Sequence, residues 1–317
     1  MAWLVAPLAL VIERLVGYPG GLFRIIGHPV TWMGALIGWL EGRLNTGDQR
    51  RWKGVALLVL LLVSGLVVSL LILDVTRRIP FGWAIEALLA STLLAQKELG
   101  RAVTAVADGL AVSLEAGRAA VSHIVGRDPD ALDRPGVARA AIESLAESTS
   151  DGIVAPLFWL LVGGLPGIVL YKAVNTADSM IGHRTPRYAE IGWASARLDD
   201  LLNWIPARLT ALLVAGAAFL VRRADPEAAW STALRDARQH ASPNAGWPEA
   251  AFAGALGFVL GGPRAYDGEV HDLPSFGDGR TDLSALDILK SLELYWRTLN
   301  LLLAVTLLCA VLLWRFA

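Results

Sequence analysis

The sequence predicts an all-α, polytopic integral membrane protein with amphipathic soluble helices and long polar loops. The chain is 55% hydrophobic yet 18% charged, with mean hydropathy +0.50. That is too apolar for an ordinary soluble domain and too charged for a protein lying wholly in lipid. The stretch from Gly54 to Leu73 carries no charge and has the length an α-helix needs to cross about 30 Å of hydrocarbon. No strand-type alternation or internal repeat appears.

Taken in order, Ala2 to Val16 is apolar but contains Glu13 and Arg14 and lacks a basic n-region, so it reads as a retained membrane or interfacial segment and not a signal peptide. Pro19, Gly20 and Gly21 signal a turn. Gly27 to Gly34 then leads into an amphipathic stretch ending near Leu44, and His28 by itself reads best as a polar residue ahead of a helix. Arg50, Arg51 and Lys53 precede the uncharged run while Asp74, Arg77 and Arg78 follow it, so basic residues do not orient it. Trp83 to Gln96 is short and holds Glu86, which suits a helix packed on protein or lying at the interface. Lys97 to Leu132 has the spacing of an amphipathic helix or helix pair, closed by Gly126-Arg127-Asp128-Pro129.

Pro135-Gly136 opens a further helix on which Glu143, Glu147 and Asp151 recur every four residues, one acidic stripe if the helix is continuous. Ile153 to Leu170 is interrupted by Pro156, Gly163, Gly164, Pro166 and Gly167, which implies a kinked span or a buried hairpin. The candidate membrane segments are therefore 2–16, 54–73, 153–170, 206–221 and 298–314, separated by polar regions 97–151, 172–205 and 222–297, with 1–317 read as one membrane domain. The lone Cys309 excludes an internal disulfide and a cysteine metal cluster, and a net charge of −1 gives no case for nucleic acid.

No Walker-type phosphate loop, His-Glu-x-x-His zinc motif or Gly-x-Ser-x-Gly elbow is present. What remains is a dense set of carboxylates and cations. Glu143, Glu147, Asp151 and Asp178, with Asp199 and Asp200, suit one or two magnesium ions, which take a few carboxylates plus water and substrate phosphate oxygens. Lys172, Arg184, Arg187, Arg197 and Arg208 suit phosphate, the arginines through their planar fork. Asn175, Ser179, His183 and Asn203 lie among them. The combination points to phosphoryl or acyl-phosphate chemistry on an anionic substrate. The plainer alternative is a charged membrane boundary whose residues pair with one another.

Several ordered blocks carry a resemblance. They are His28-Pro29-Val30, Glu143 to Phe158, Lys172 to Arg184, Gly192 to Asp200, Asn203 to Arg208, Ser242 to Glu249, and Gly261-Gly262-Pro263. Together they resemble the cobalamin-biosynthesis family of adenosylcobinamide-phosphate synthases, CobD/CbiB. Ser148 stands where that family more often has Asn, and no role is given to it.

The resemblance implies a multi-pass enzyme of the inner membrane, its site facing the cytoplasm. Such an enzyme joins adenosylcobyric acid, through the ring D propionate, to aminopropanol phosphate or aminopropanol, with ATP and Mg2+ consumed or required. Partners beyond the bilayer would be other enzymes of the pathway. On this reading Lys172, Asp178, His183, Arg184, Asp199 and Asp200 are catalytic, with His183, Asp199 or Asp200 accepting the amine proton. Asn175, Ser179, Arg187, Arg197, Asn203, Arg208 and Asn244 bind the nucleotide or substrates, and Glu143, Glu147 and Asp151 hold metal. A simple span at Ile153 to Leu170 would set the acidic stripe and the Lys172–Arg208 block about 30 Å apart on opposite faces, so the segment is expected to double back or to be buried in protein. A corrinoid or anion transporter and a non-catalytic membrane scaffold are the competing readings. Charges grouped in loops and at span ends favour catalysis over both.

Overall fold

The structure is a computed structural model and describes residues 2–126, 128–262, 264–266, 269–271 and 273–316. Arg127 and Pro263 of the stretches singled out above lie outside the described residues. The helices are α1 (Val5–Leu15), α2 (Gly20–Ile26), α3 (Pro29–Leu44), α4 (Arg50–Thr76), α5 (Gly82–Ser91), α6 (Gln96–Val112), α7 (Leu114–Val121), α8 (Arg134–Thr149), α9 (Ala155–Ile181), α10 (Trp193–Leu202), α11 (Trp204–Ala218), α12 (Pro226–Asp236), α13 (Gly246–Leu256) and α14 (Ala285–Phe316). The all-α expectation holds apart from two small antiparallel pairs, β1 (Leu260–Gly261) with β4 (Ser275–Phe276), and β2 (Arg264–Tyr266) with β3 (Glu269–His271).

The chain forms two compact units. The first comprises Met1–Ala95, Ala155–Asn203 and Thr306–Ala317. Its α3 starts where His28 caps it: Val30 N–H donates to His28 Nδ1 (3.2 Å), His28 N–H donates to Thr31 Oγ1 (3.0 Å), and Pro29 supplies the first-turn proline. The uncharged run became α4, whose Leu57 and Leu61 pack with Ile37 and Leu40 of α3 and with Ala173 and Ala177 of α9. Its other faces expose Val63, Val67, Leu70 and Leu71, the pattern of a helix facing lipid. Near its start Arg51 lies 3.8 Å over the Trp193 ring, a cation–π contact. Segment 2–16 yields only the 11-residue α1 after a 3-10 turn. Glu13 is buried there and α1 packs on α5, so this piece is held by protein.

By length and composition Arg50–Thr76, Arg134–Ile181 and Ala285–Leu312 are apolar enough to cross a membrane. α9 does not run straight. Gly164 has φ 62° and ψ −153°, a conformation open essentially to glycine alone, and Pro166 follows it. Beyond the break the chain returns on itself, for a methyl group added to Gly167 would overlap the carbonyl oxygen of Trp159. In a continuous helix those two residues would lie roughly 12 Å apart. The first arm, 155–163, is roughly 13 Å long at 1.5 Å per residue, under half of a hydrocarbon core, and its tip exposes Leu161 and Val162. The expected doubling back is therefore present at Gly164–Gly167, which brings Gly167 against Trp159.

The second unit comprises Gln96–Val154 and Trp204–Val305. α6 and α7 form the expected amphipathic pair, with Ser113 capping α7 by accepting from Ala116 N–H (3.0 Å). Its centre is α13, every residue of which is buried. Gly254 sits against the Ala228 carbonyl of α12 and Gly246 against the Ala237 carbonyl, so glycine permits the close approach that buries α13. This helix falls in the stretch expected to be polar loop. α11, 15 residues long, rises roughly 22 Å and by itself falls short of a span. α14 begins at Ala285, well before the expected start of the terminal span.

Candidate functional site

In the first unit the predicted residues converge where α9 packs on α10. Lys172, Asn175 and Ser179 lie three and four residues apart on α9, one face of a helix, while α10 offers Asp199 and, at its C-cap, Asn203. Lys172 Nζ donates to Asn175 Oδ1 (3.1 Å), and Asn175 Nδ2 donates to Asp199 Oδ1 (3.4 Å). From the other side Asn203 Nδ2 donates to Asp199 Oδ2 (2.9 Å), and the Tyr171 hydroxyl donates to Asn203 Oδ1 (2.9 Å). Each amide is thereby oriented, its oxygen toward a donor and its nitrogen toward the carboxylate. Both oxygens of Asp199 are engaged, and the residue is only 9% exposed.

Ten residues long and carrying Arg197, Asp199 and Asp200, α10 passes as membrane-crossing only jointly with α11 across a 44° bend, and these charged residues precede the apolar run that starts at Leu201. Burial, reinforced by the nearby Asp178 carboxylate, pushes Asp199 up to about 7, against the two amide hydrogen bonds. Burial also raises Asp200, opposed by Arg197 and Arg184; Arg197 pairs with it at 3.6 Å. Asp178 lies within electrostatic reach of Asp200 and His183.

Glycines shape the rim of this cluster. A methyl group on Gly182 would overlap Asp178 Oδ1, so glycine there lets the carboxylate fold across the end of α9. Gly192 lies against the Ile181 carbonyl and Gly54 against the Ile191 carbonyl, cinching the loop that carries His183 and Arg184, both exposed. Ser179 turns its hydroxyl back to Asn175 O (2.8 Å). Arg187, expected to bind ligand, has a partner within the protein. Its guanidinium grips the buried Glu41 through two bonds (3.2 and 3.0 Å), and Asn45 Nδ2 bridges Glu41 Oε1 and the Arg187 carbonyl (2.8 and 3.1 Å). This fork pins the loop to α3.

The remaining predicted residues belong to the second unit. Glu143 is buried and its Oε1 accepts from Gly261 N–H (2.6 Å), whereas Glu147 is exposed. Asp151 falls in a π-turn, Ser150–Val154, and is half-buried. Among the described residues no group of three or more His, Cys, Asp or Glu is arranged to hold a metal ion. Arg208 is set between two indoles, 4.5 Å from the Trp204 ring and 4.7 Å from the Trp247 ring, and donates to Asn244 Oδ1 (3.2 Å) and Trp204 O (2.7 Å). Stacking and hydrogen bonds fix this guanidinium firmly.

Sequence reasoning named neither Tyr171 nor the two tryptophans. Tyr171 adjoins Lys172 at the end of an apolar run. Trp204 and Trp247 sit inside two of the blocks quoted above. In the same unit, Ser242 N–H donates to His240 Nδ1 (2.9 Å) and the half-buried His240 places Nε2 3.6 Å from Oε1 of the buried Glu249, a pair the sequence does not single out.

Residues 6–295 match the family model described as CobD/Cbib protein. The chain belongs to the CobD/CbiB family. It is 52% identical over 296 residues to the cobalamin biosynthesis protein CobD of Rhodobacter capsulatus, covering 92% of each chain. To the CobD of Sinorhizobium fredii it is 48% identical over 311 residues, 95% of each, and to that of Brucella anthropi 48% over 314 residues, 94% of each. No solved structure matches it. CobD/CbiB membership makes this a cobalamin biosynthesis protein, and its apolar helices make it a membrane protein. The match runs through all the resembling blocks, so the Lys172–Tyr171 line and the stacked Arg208 both lie inside the family region.

Proposed function

We propose that the chain is an ATP-dependent acid–amine ligase joining adenosylcobyric acid to aminopropanol or its O-phosphate, giving adenosylcobinamide or its phosphate. The observation that carries the reading is the hydrogen-bonded line from Lys172 through Asn175, Asp199 and Asn203 to Tyr171, flanked by Asp178, Asp200, His183 and Arg184, in a chain of this family. A carboxylate is a poor electrophile until it is phosphorylated. In the first step a propionate oxygen attacks the γ-phosphorus of ATP, and ADP departs, leaving an acyl phosphate. In the second, the amine nitrogen attacks the acyl carbon, the phosphate leaves with its bonding pair, and the nitrogen sheds one proton.

Lys172 and Arg184 offset the negative charge gathered in both steps. Asp199 receives the proton: its affinity for one lies near neutrality, which matches a base to its medium, and the two amides hold it in place. ATP enters as its magnesium complex, the ion carried by the nucleotide's own phosphates, and no step is assigned to an ion held by protein. Since ATP is cytoplasmic, the site faces the cytoplasm at the inner membrane. The turn of α9 at Gly164 supports this placement, since a straight span would carry Lys172 to the opposite face.

The test is purified protein in detergent given adenosylcobyric acid, each amine in turn, ATP and magnesium, followed for ADP and the corrinoid product. Product with one of the amines is expected, with turnover lost in Asp199→Asn and Lys172→Met variants that still insert. Absence of product with either amine, together with corrinoid accumulation in vesicles holding the protein, would overturn the ligase in favour of transport.

A further inference from the structure

Within the first unit α3, α4, α5 and the second arm of α9 enclose a cavity of about 260 Å³. A cavity of roughly 150 Å³ already accommodates a benzene ring when its walls are apolar. The α4 wall is Leu61, Ser64, Gly65, Val68 and Ile72, a single helical face inside the uncharged run, and therefore at the depth of hydrocarbon. The polar groups among its lining are already satisfied. Ser64 Oγ donates to Leu60 O (2.7 Å), Thr92 Oγ1 to Leu89 O (2.7 Å), and Trp32 Nε1 to Ile26 O (2.7 Å).

The cavity thus offers no unmet hydrogen bond to a polar ligand and selects hydrocarbon. It also opens sideways. Val68 is 55% and Trp32 52% exposed, and Val68 continues directly into the lipid-facing surface of α4 formed by Val63, Val67 and Leu71. The opposite walls, Leu93, Leu165 and Ala173, are buried.

We propose that this slot takes one acyl chain of a bilayer phospholipid, which enters past Val68 and braces the α9 arm that carries Lys172 and Asn175. The inference is independent of the ligase reading, because it rests on walls that do not include the polar line.

The experiment uses the full chain in phosphatidylcholine vesicles carrying a trace of the same lipid with a diazirine in one acyl chain. After illumination the adducts are located by peptide mass spectrometry. Labelled Leu93, Leu165 or Ala173, which bulk lipid cannot touch, is the expected result. In Val68→Trp, whose indole fills the entrance, those adducts should vanish while Val67 and Leu71 remain labelled. Adducts confined to Val67, Leu71 and other outward residues of the parental protein would overturn the proposal whatever the variant does, as would adducts inside the slot that persist undiminished in an inserted Val68→Trp.

Discussion

Three glycines in the α9 hairpin respond to alanine in ways that distinguish a re-entrant turn from a straight span. In a straight helix, replacing glycine by alanine stabilises by up to about 1 kcal/mol at each position, because the backbone entropy of glycine is no longer lost. In the hairpin the outcomes separate. Gly163 has nothing near its missing Cβ, so Gly163→Ala should be neutral or mildly stabilising. Gly164, at φ 62° and ψ −153°, would force alanine into a region that costs about 1–3 kcal/mol. At Gly167 the new methyl group would overlap the Trp159 carbonyl oxygen. That neighbour is backbone, which cannot rotate away, so the arms must part and at least about 1–3 kcal/mol is lost to overpacking. Thermal unfolding of each variant in detergent, read by tryptophan fluorescence, gives the order parent ≈ Gly163→Ala above Gly164→Ala and Gly167→Ala. Equal or increased stability in all three would refute the hairpin and restore a straight span.

Other contacts predict further outcomes. Arg187→Lys should lower the melting temperature slightly, since one bond of the fork on Glu41 is lost while Arg187 is largely solvated; a double-mutant cycle with Glu41→Gln showing no coupling would count against the clamp. Tyr171→Phe removes the donor to Asn203 Oδ1 and should cost about 1–3 kcal/mol as that buried oxygen loses its partner, measured by chemical unfolding; parental stability would mean that the line is not closed at that end. For Asp199 the folded protein holds its proton up to about 7, whereas the unfolded chain releases it near the ordinary value of about 3.9. Its contribution is therefore fully present below pH about 4 and lost as pH rises to about 7. Asp199→Asn should flatten that decline in melting temperature, and a variant declining as steeply as the parent would refute the assignment.

What could be read from the sequence follows the range over which its signals act. The α4 span and the broken character of 153–170 were legible because an uncharged run and a cluster of Gly and Pro act locally. Asn175, Asp178 and Asp199 were legible as a group because they crowd into a short polar stretch. Arg187 was not, since Glu41 lies 146 residues away and nothing near Arg187 announces it. The two-residue strands β1 and β4 are too short to leave any alternation. The surroundings of the acidic residues were not legible either: the π-turn at Ser150–Val154 that holds Asp151 leaves no mark on the spacing, and Gly261, whose N–H donates to Glu143, is far along the chain. α13 was hidden because alanine and glycine bury little apolar area each. What places it at the centre of its unit is how closely Gly246 and Gly254 let neighbouring backbone approach, a property of packing that periodicity does not record. By the same logic, the residues most open to misassignment from sequence are the charged ones. A guanidinium that grips a distant buried carboxylate, as Arg187 grips Glu41, and an exposed one such as Arg184 are identical as letters, and only the position of the partner separates them.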